Sequence, residues 1–66
     1  MDVKYPNVCV RLSGIDGNAF NVIGKVAAAL RQSVDGATAS QFSADAYNCG
    51  SYDEVLRLAM STVTVE

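Results

Sequence analysis

Histidine is absent from this 66-residue chain, and with it the commonest general base of enzymes. Its absence excludes the Ser–His and Cys–His pairs of nucleophilic catalysis, and two cysteines alone cannot complete a tetrahedral zinc site within one chain. Asp53 and Glu54 are neighbours in sequence and suit the start of a helix better than an acid–base pair, because adjacent helical residues do not face each other. We therefore expect no enzymatic activity, no catalytic residue, no metal and no cofactor.

Charge is also sparse. Five basic and seven acidic residues give a net charge of −2, without a basic run, so a nucleic-acid partner is not expected. No apolar run approaches the ~18 residues that a membrane span requires, and the first residues lack the apolar stretch of a signal peptide. We expect a cytoplasmic protein without a membrane partner, in which Cys9 and Cys49 remain free thiols.

Apolar residues, by contrast, are abundant for so short a chain, since they make up 50% of it. Residues 1–66 have room for a single compact domain, and a domain of this size buries only ~60% of the surface that its unfolded chain exposes. A second copy of the chain would cover part of the remaining apolar surface, and we expect a homo-oligomer.

Three helices are predicted from apolar spacing and from capping residues. The first should run from about Ala19 to Ser33, and Gly36 beyond it should stop the helix in a left-handed conformation. The second should begin at Thr38 with a capping box over residues 38–41 and end at Gly50, and the third should open with a second box over residues 51–54. One face of the first helix is formed by Phe20, Ile23, Ala27, Leu30 and Val34, and the inner stripe of the second by Ala39, Phe42, Ala46 and Cys49. The third helix carries a broad apolar surface of Val55, Leu56, Leu58, Ala59 and Met60.

Two strands are predicted from period-2 alternation, one over residues 8–12 and the other over residues 61–65. Three intervening helices that each reverse the chain leave these strands parallel. The expected fold is a small α+β domain of strand–three helices–strand order (βαααβ), with a two-stranded parallel sheet packed on the helices. Val8, Val10, Leu12, Val63 and Val65 should face the helices, and Cys9, Arg11, Thr62 and Thr64 should face away.

The turn between the first strand and the first helix is the one candidate ligand site in the sequence. Glycine at residue 17 permits close approach of a ligand, and the N–H groups at the start of the following helix suit an anion. The pattern matches neither a dinucleotide fingerprint nor a Walker A loop. Asp16 would also repel an anion, so a tight turn with an Asx cap explains the pattern better than an anion site does. The candidate ligand-binding residues are Asp16, Gly17, Asn18, Ala19, Lys25 and Arg11.

Two surfaces are candidate subunit interfaces. Gly24 and Ala28 lie four residues apart on the polar side of the first helix, where small residues would let another backbone approach closely. The outer face of a two-stranded sheet would also need a cover, and Cys9, Thr62 and Thr64 are expected there.

The segment Leu12-x-Gly14-x-Asp16-Gly17-Asn18-Ala19-Phe20-x-x-Ile23-Gly24, with Asp45-Ala46 and Gly50-x-Tyr52-Asp53-x-x-Leu56 downstream, resembles a group of short uncharacterised proteins of bacteria and their phages. These proteins share a Gly-x-Asp-Gly-Asn-Ala-Phe signature. Ser51 stands where the resemblance leads us to expect an aspartate, and this departure leaves a helix-capping residue in place. A phage origin, which the resemblance implies, favours a small accessory or host-interaction protein.

The sequence thus favours a non-enzymatic protein that acts by protein–protein binding as a homo-oligomer, with an unknown host or phage protein as a further partner. The alternative hypothesis is a protein that binds or sequesters a small, nucleotide-like anion through the turn between the first strand and the first helix.

Overall fold

The computed structural model describes residues 3–12 and 19–66 and confirms a small, compact α+β domain of βαααβ order. Its elements are β1 (Tyr5–Val10), α1 (Ala19–Ser33), α2 (Gly36–Tyr47), α3 (Tyr52–Thr62) and β2 (Val63–Val65). The bounds predicted for the first helix agree with α1. The first strand lies earlier than predicted, and the second is shorter because α3 continues through Thr62.

The two strands pair in parallel, as predicted. Tyr5 pairs with Val63, and the ladder resumes at Cys9 with Thr64, so that the register shifts across residues 6–8 of β1. Pro6 has no N–H to donate at this point. Its carbonyl is satisfied by the Thr64 hydroxyl, which donates a hydrogen bond of 2.8 Å.

The core lies between the sheet and the helices and centres on fully buried side chains of α1. The apolar stripe that packs inward consists of Val22, Ile23, Val26 and Leu30. The prediction was wrong for Phe20 and Val34, which are 66% and 38% exposed. At about 100° per residue the buried stripe is rotated by roughly 65° from the predicted one. The alanine-rich helix carries two overlapping apolar stripes, and packing against β1, α2 and α3 selects one of them.

The start of α2 also differs from the prediction. Gly36 is the first residue of α2 and has no left-handed backbone, and Thr38 lies inside the helix. Asp35 is the N-cap, with extended backbone and a carboxylate that accepts a 2.6 Å hydrogen bond from the Thr38 N–H. A carboxylate gains more than a hydroxyl at this place, because the helix dipole favours negative charge. The helix ends at Tyr47 with Asn48 as C-cap, before Cys49 and Gly50.

The predicted cap of α3 is confirmed, with a variation. The Ser51 hydroxyl accepts from the Glu54 N–H at 3.3 Å, as a capping box requires. The Glu54 carboxylate bonds the N–H of Gly50 at 2.6 Å, one residue before the cap. Thr62 closes the helix at its other end, where its hydroxyl donates to the Leu58 carbonyl at 2.7 Å.

Candidate functional site

The predicted ligand-binding turn lies mostly outside the described residues, because Asp16, Gly17 and Asn18 fall in the segment 13–18. Of the other members of that set, Ala19 is the first residue of α1 and is half-buried. Arg11 and Lys25 are exposed, and neither lines the two cavities described below. The anion site of the alternative hypothesis therefore stays a prediction.

The predicted interface residues occupy different environments. Gly24 and Ala28 are exposed on α1, and Cys9 is exposed on β1. Thr64 is half-buried, and its hydroxyl bonds within the chain. Thr62 was expected to face away from the helices in the second strand, but it is only 8% exposed at the end of α3. The placement was wrong because α3 retains its hydrogen bonding for two residues beyond the predicted start of β2.

Two exposed aromatic rings meet where the start of α1 lies beside the end of α2. The ring centroids of Phe20 and Tyr47 are 5.8 Å apart, with an angle of 43° between the ring planes. Tyr47 is 61% exposed and Phe20 nearly equally so. Large aromatic side chains dominate the energetics of interfaces, so a pair of them left at the surface is informative.

A shallow cavity of about 200 Å³ adjoins these rings, and we call the rings and the cavity together the aromatic groove. Its walls include Ala19 and Ile23 of α1, Ala46 of α2 and Val55 of α3. The turn at residues 48–51 holds the groove in shape, because Asn48 closes α2, Ser51 opens α3 and the Glu54 carboxylate ties down the Gly50 N–H. The groove is therefore built on capped helix ends.

The aromatic groove was missed at the level of sequence because Phe20 fits an apolar stripe of α1 and was assigned to the core. The competing stripe through Val22 and Val26 was the available signal. Val22 and Val26 are fully buried, whereas Phe20 is exposed at the rim of the aromatic groove.

A second and larger cavity of about 290 Å³ lies on another side of the molecule, between α2, α3 and the start of β1. We call it the polar cavity. It exists because α2 packs mainly against α1 and makes little contact with α3. Its α2 wall carries Gln41, Phe42 and Asp45, its α3 wall carries Leu58, Ser61 and Thr62, and Lys4 and Tyr5 of the β1 segment close the third side.

No group of three or more Cys, Asp or Glu residues within residues 3–12 and 19–66 could hold a metal ion. None of the three helices is both long and apolar enough to cross a bilayer. Both cysteines are free thiols, and the Cys49 thiol donates to the Asp45 carbonyl at 3.5 Å.

Comparison with known proteins adds no likeness. No protein-family model matches the chain, and neither a curated protein nor a solved structure does.

Proposed function

We propose that this chain is a non-enzymatic binding protein that forms a homo-oligomer, with the aromatic groove at the contact between copies. The observation that carries the proposal is the pair of exposed aromatic rings, Phe20 and Tyr47, beside an apolar cavity. Surface aromatics of this kind act as anchors in protein interfaces, where they fill a pocket of the partner.

Loose packing does not account for the exposed rings. The accessible surface is 4226 Å², close to the roughly 4000 Å² expected for a compact monomer of 7.0 kDa. Every buried side-chain nitrogen and oxygen of the described residues has a hydrogen-bond partner. The chain therefore buries what its size allows and still leaves two large aromatic side chains at the surface.

The contact surface extends from the groove along α1. Phe20, Gly24 and Ala28 follow one another at intervals of four residues, and all three are exposed. A stable interface takes about 800 Å² from each partner, which is close to a fifth of this surface of 4226 Å². An aromatic anchor followed by two small residues would let α1 of a second copy approach closely over such an area.

Sedimentation velocity over a concentration series up to about 1 mM tests the proposal, since a Kd of 1 mM corresponds to only about 4 kcal/mol of binding. Wild type is expected to associate, whereas F20Q and Y47Q are expected to remain monomeric because glutamine retains helix propensity but removes the ring. The control is M60Q, because Met60 is 51% exposed on α3 and does not line the groove. A monomeric wild type, or equal association of all four proteins, would refute the proposal.

The biological setting rests on the sequence signature alone. The resemblance to short phage and bacterial proteins supports an accessory or host-interaction role, with a host or phage protein as the further partner. The lack of histidine supports binding over catalysis as the mode of action.

A further inference from the structure

We propose that the polar cavity binds a small zwitterion of the α-amino-acid class, with the ligand carboxylate on Lys4 and the ligand ammonium on Asp45. The two side chains belong to different walls of the same cavity, one on the β1 side and the other on α2. Opposite charges on different walls of one cavity match a ligand whose own opposite charges are separated by a few bonds.

The Asp45 side is equipped to accept hydrogen bonds. The Gln41 amide donates to Asp45 Oδ1 at 3.0 Å and so orients the carboxylate. Across from it, the hydroxyls of Ser61 and Thr62 both donate to the Leu58 carbonyl, at 2.9 and 2.7 Å. With their protons committed, these hydroxyl oxygens offer only lone pairs to a ligand, and an ammonium needs three acceptors.

The Lys4 side supplies donors. The Lys4 backbone N–H bonds the Ser61 carbonyl at 3.0 Å, which anchors the root of the side chain at the edge of the cavity. Its ammonium carries three donors and no acceptor, and Tyr5 lines the same part of the cavity. A carboxylate is the ligand group that this side recognises.

The remaining lining fixes the size and the character of the rest of the ligand. Phe42 is buried and Leu58 is half-buried, so the cavity has an apolar side that suits an aliphatic side chain. A volume of about 290 Å³ lies at the lower limit of the ~300–1000 Å³ of small-molecule pockets. A space of this size accommodates one small molecule.

The test is a two-dimensional NMR titration of the labelled protein with leucine and two analogues of similar shape. Leucinamide lacks the carboxylate, and 4-methylpentanoate lacks the ammonium. Leucine is expected to shift the amide signals of Tyr5, Phe42 and Leu58, and each analogue is expected to bind at least tenfold more weakly. Leucine that binds no better than its analogues, or shifts signals away from the cavity, would overturn the proposal.

Two variants assign the charges. K4M is expected to abolish the preference for leucine over leucinamide, and D45N its preference over 4-methylpentanoate. Both side chains are exposed, so the fold should tolerate either change. The controls R31M and D53N remove charges of the same signs from exposed residues that do not line the cavity and should leave both preferences unchanged. Preferences that survive K4M and D45N would likewise refute the assignment.

Discussion

Replacement of Gly24 by alanine should stabilise the folded monomer. Gly24 lies in the middle of α1, its backbone is not left-handed, and an added Cβ would meet nothing within 4 Å. Glycine in a helix interior costs about 0.8–1.0 kcal/mol relative to alanine, because it loses more backbone entropy on folding. We expect the free energy of unfolding of G24A to rise by about 0.5–1 kcal/mol. The Tm should rise with it, since a domain of this size gains roughly 4–8 °C in Tm for each kcal/mol.

The assay is thermal and urea unfolding followed by circular dichroism at a protein concentration where sedimentation shows monomer. A28G is the mirror control, since Ala28 is exposed one turn further along the same face and should lose a similar amount. The double variant G24A/A28G should return close to the wild-type value. A G24A monomer that is less stable than wild type would refute the reasoning, because it would show a contact at Gly24 within the chain itself.

The same variant separates monomer stability from association. In the proposed interface, the close approach of a second α1 depends on the missing side chain at Gly24, so G24A should weaken self-association while it stabilises the monomer. Sedimentation of G24A at high concentration measures this second effect. Unchanged association would place the interface away from Gly24.

Three further outcomes follow from the core and the helix caps. L30A should lower the free energy of unfolding by about 2–5 kcal/mol, because Leu30 is fully buried. This loss is comparable to the ~3–5 kcal/mol that so small a core supplies, so circular dichroism at 25 °C should show an unfolded chain. The control M60A should stay folded and close to wild type in stability, because Met60 is exposed. S51A should lose about 1 kcal/mol in urea unfolding because the cap is removed, and S51D should retain the cap; equal stability of S51A and wild type would contradict this role. Hydrogen bonds from the side chain and the backbone N–H of Thr38 lower the pKa of Asp35. The ionised Asp35 carboxylate therefore stabilises the fold above the ordinary aspartate pKa of about 3.9, and this stabilisation is lost as pH falls through the lowered pKa. Acid unfolding of D35N should lack this component, since asparagine still caps the helix but does not titrate there; identical acid profiles would refute the assignment.

Element type and order could be read from sequence because they depend on local patterns. The bounds of α1 and the cap at Ser51 follow from helical spacing and from short-range hydrogen bonding, which operate within a few residues. The start of α2 was misplaced since Asp35 and Thr38 are both good capping residues, and the competition between them is decided by geometry.

The aromatic groove and the polar cavity are the two candidate surfaces, and neither could be predicted from the sequence. The groove needs Phe20 and Tyr47, which are 27 positions apart, to meet at the surface. The polar cavity needs Lys4 and Asp45 in the lining of one cavity, and this depends on the gap between α2 and α3. Three residues of the predicted ligand site, Asp16, Gly17 and Asn18, lie outside the described part of the chain.

The sequence by itself determined that three amphipathic helices separate two parallel strands, because periodicity and capping are properties of neighbouring residues. Only the tertiary structure decided which of two overlapping apolar stripes of α1 is buried. As a result, Val22 and Val26 lie in the core and Phe20 is exposed. The physical reason is that an alanine-rich helix offers similar burial energy over a wide arc, so the shapes of the elements packed against it select the face.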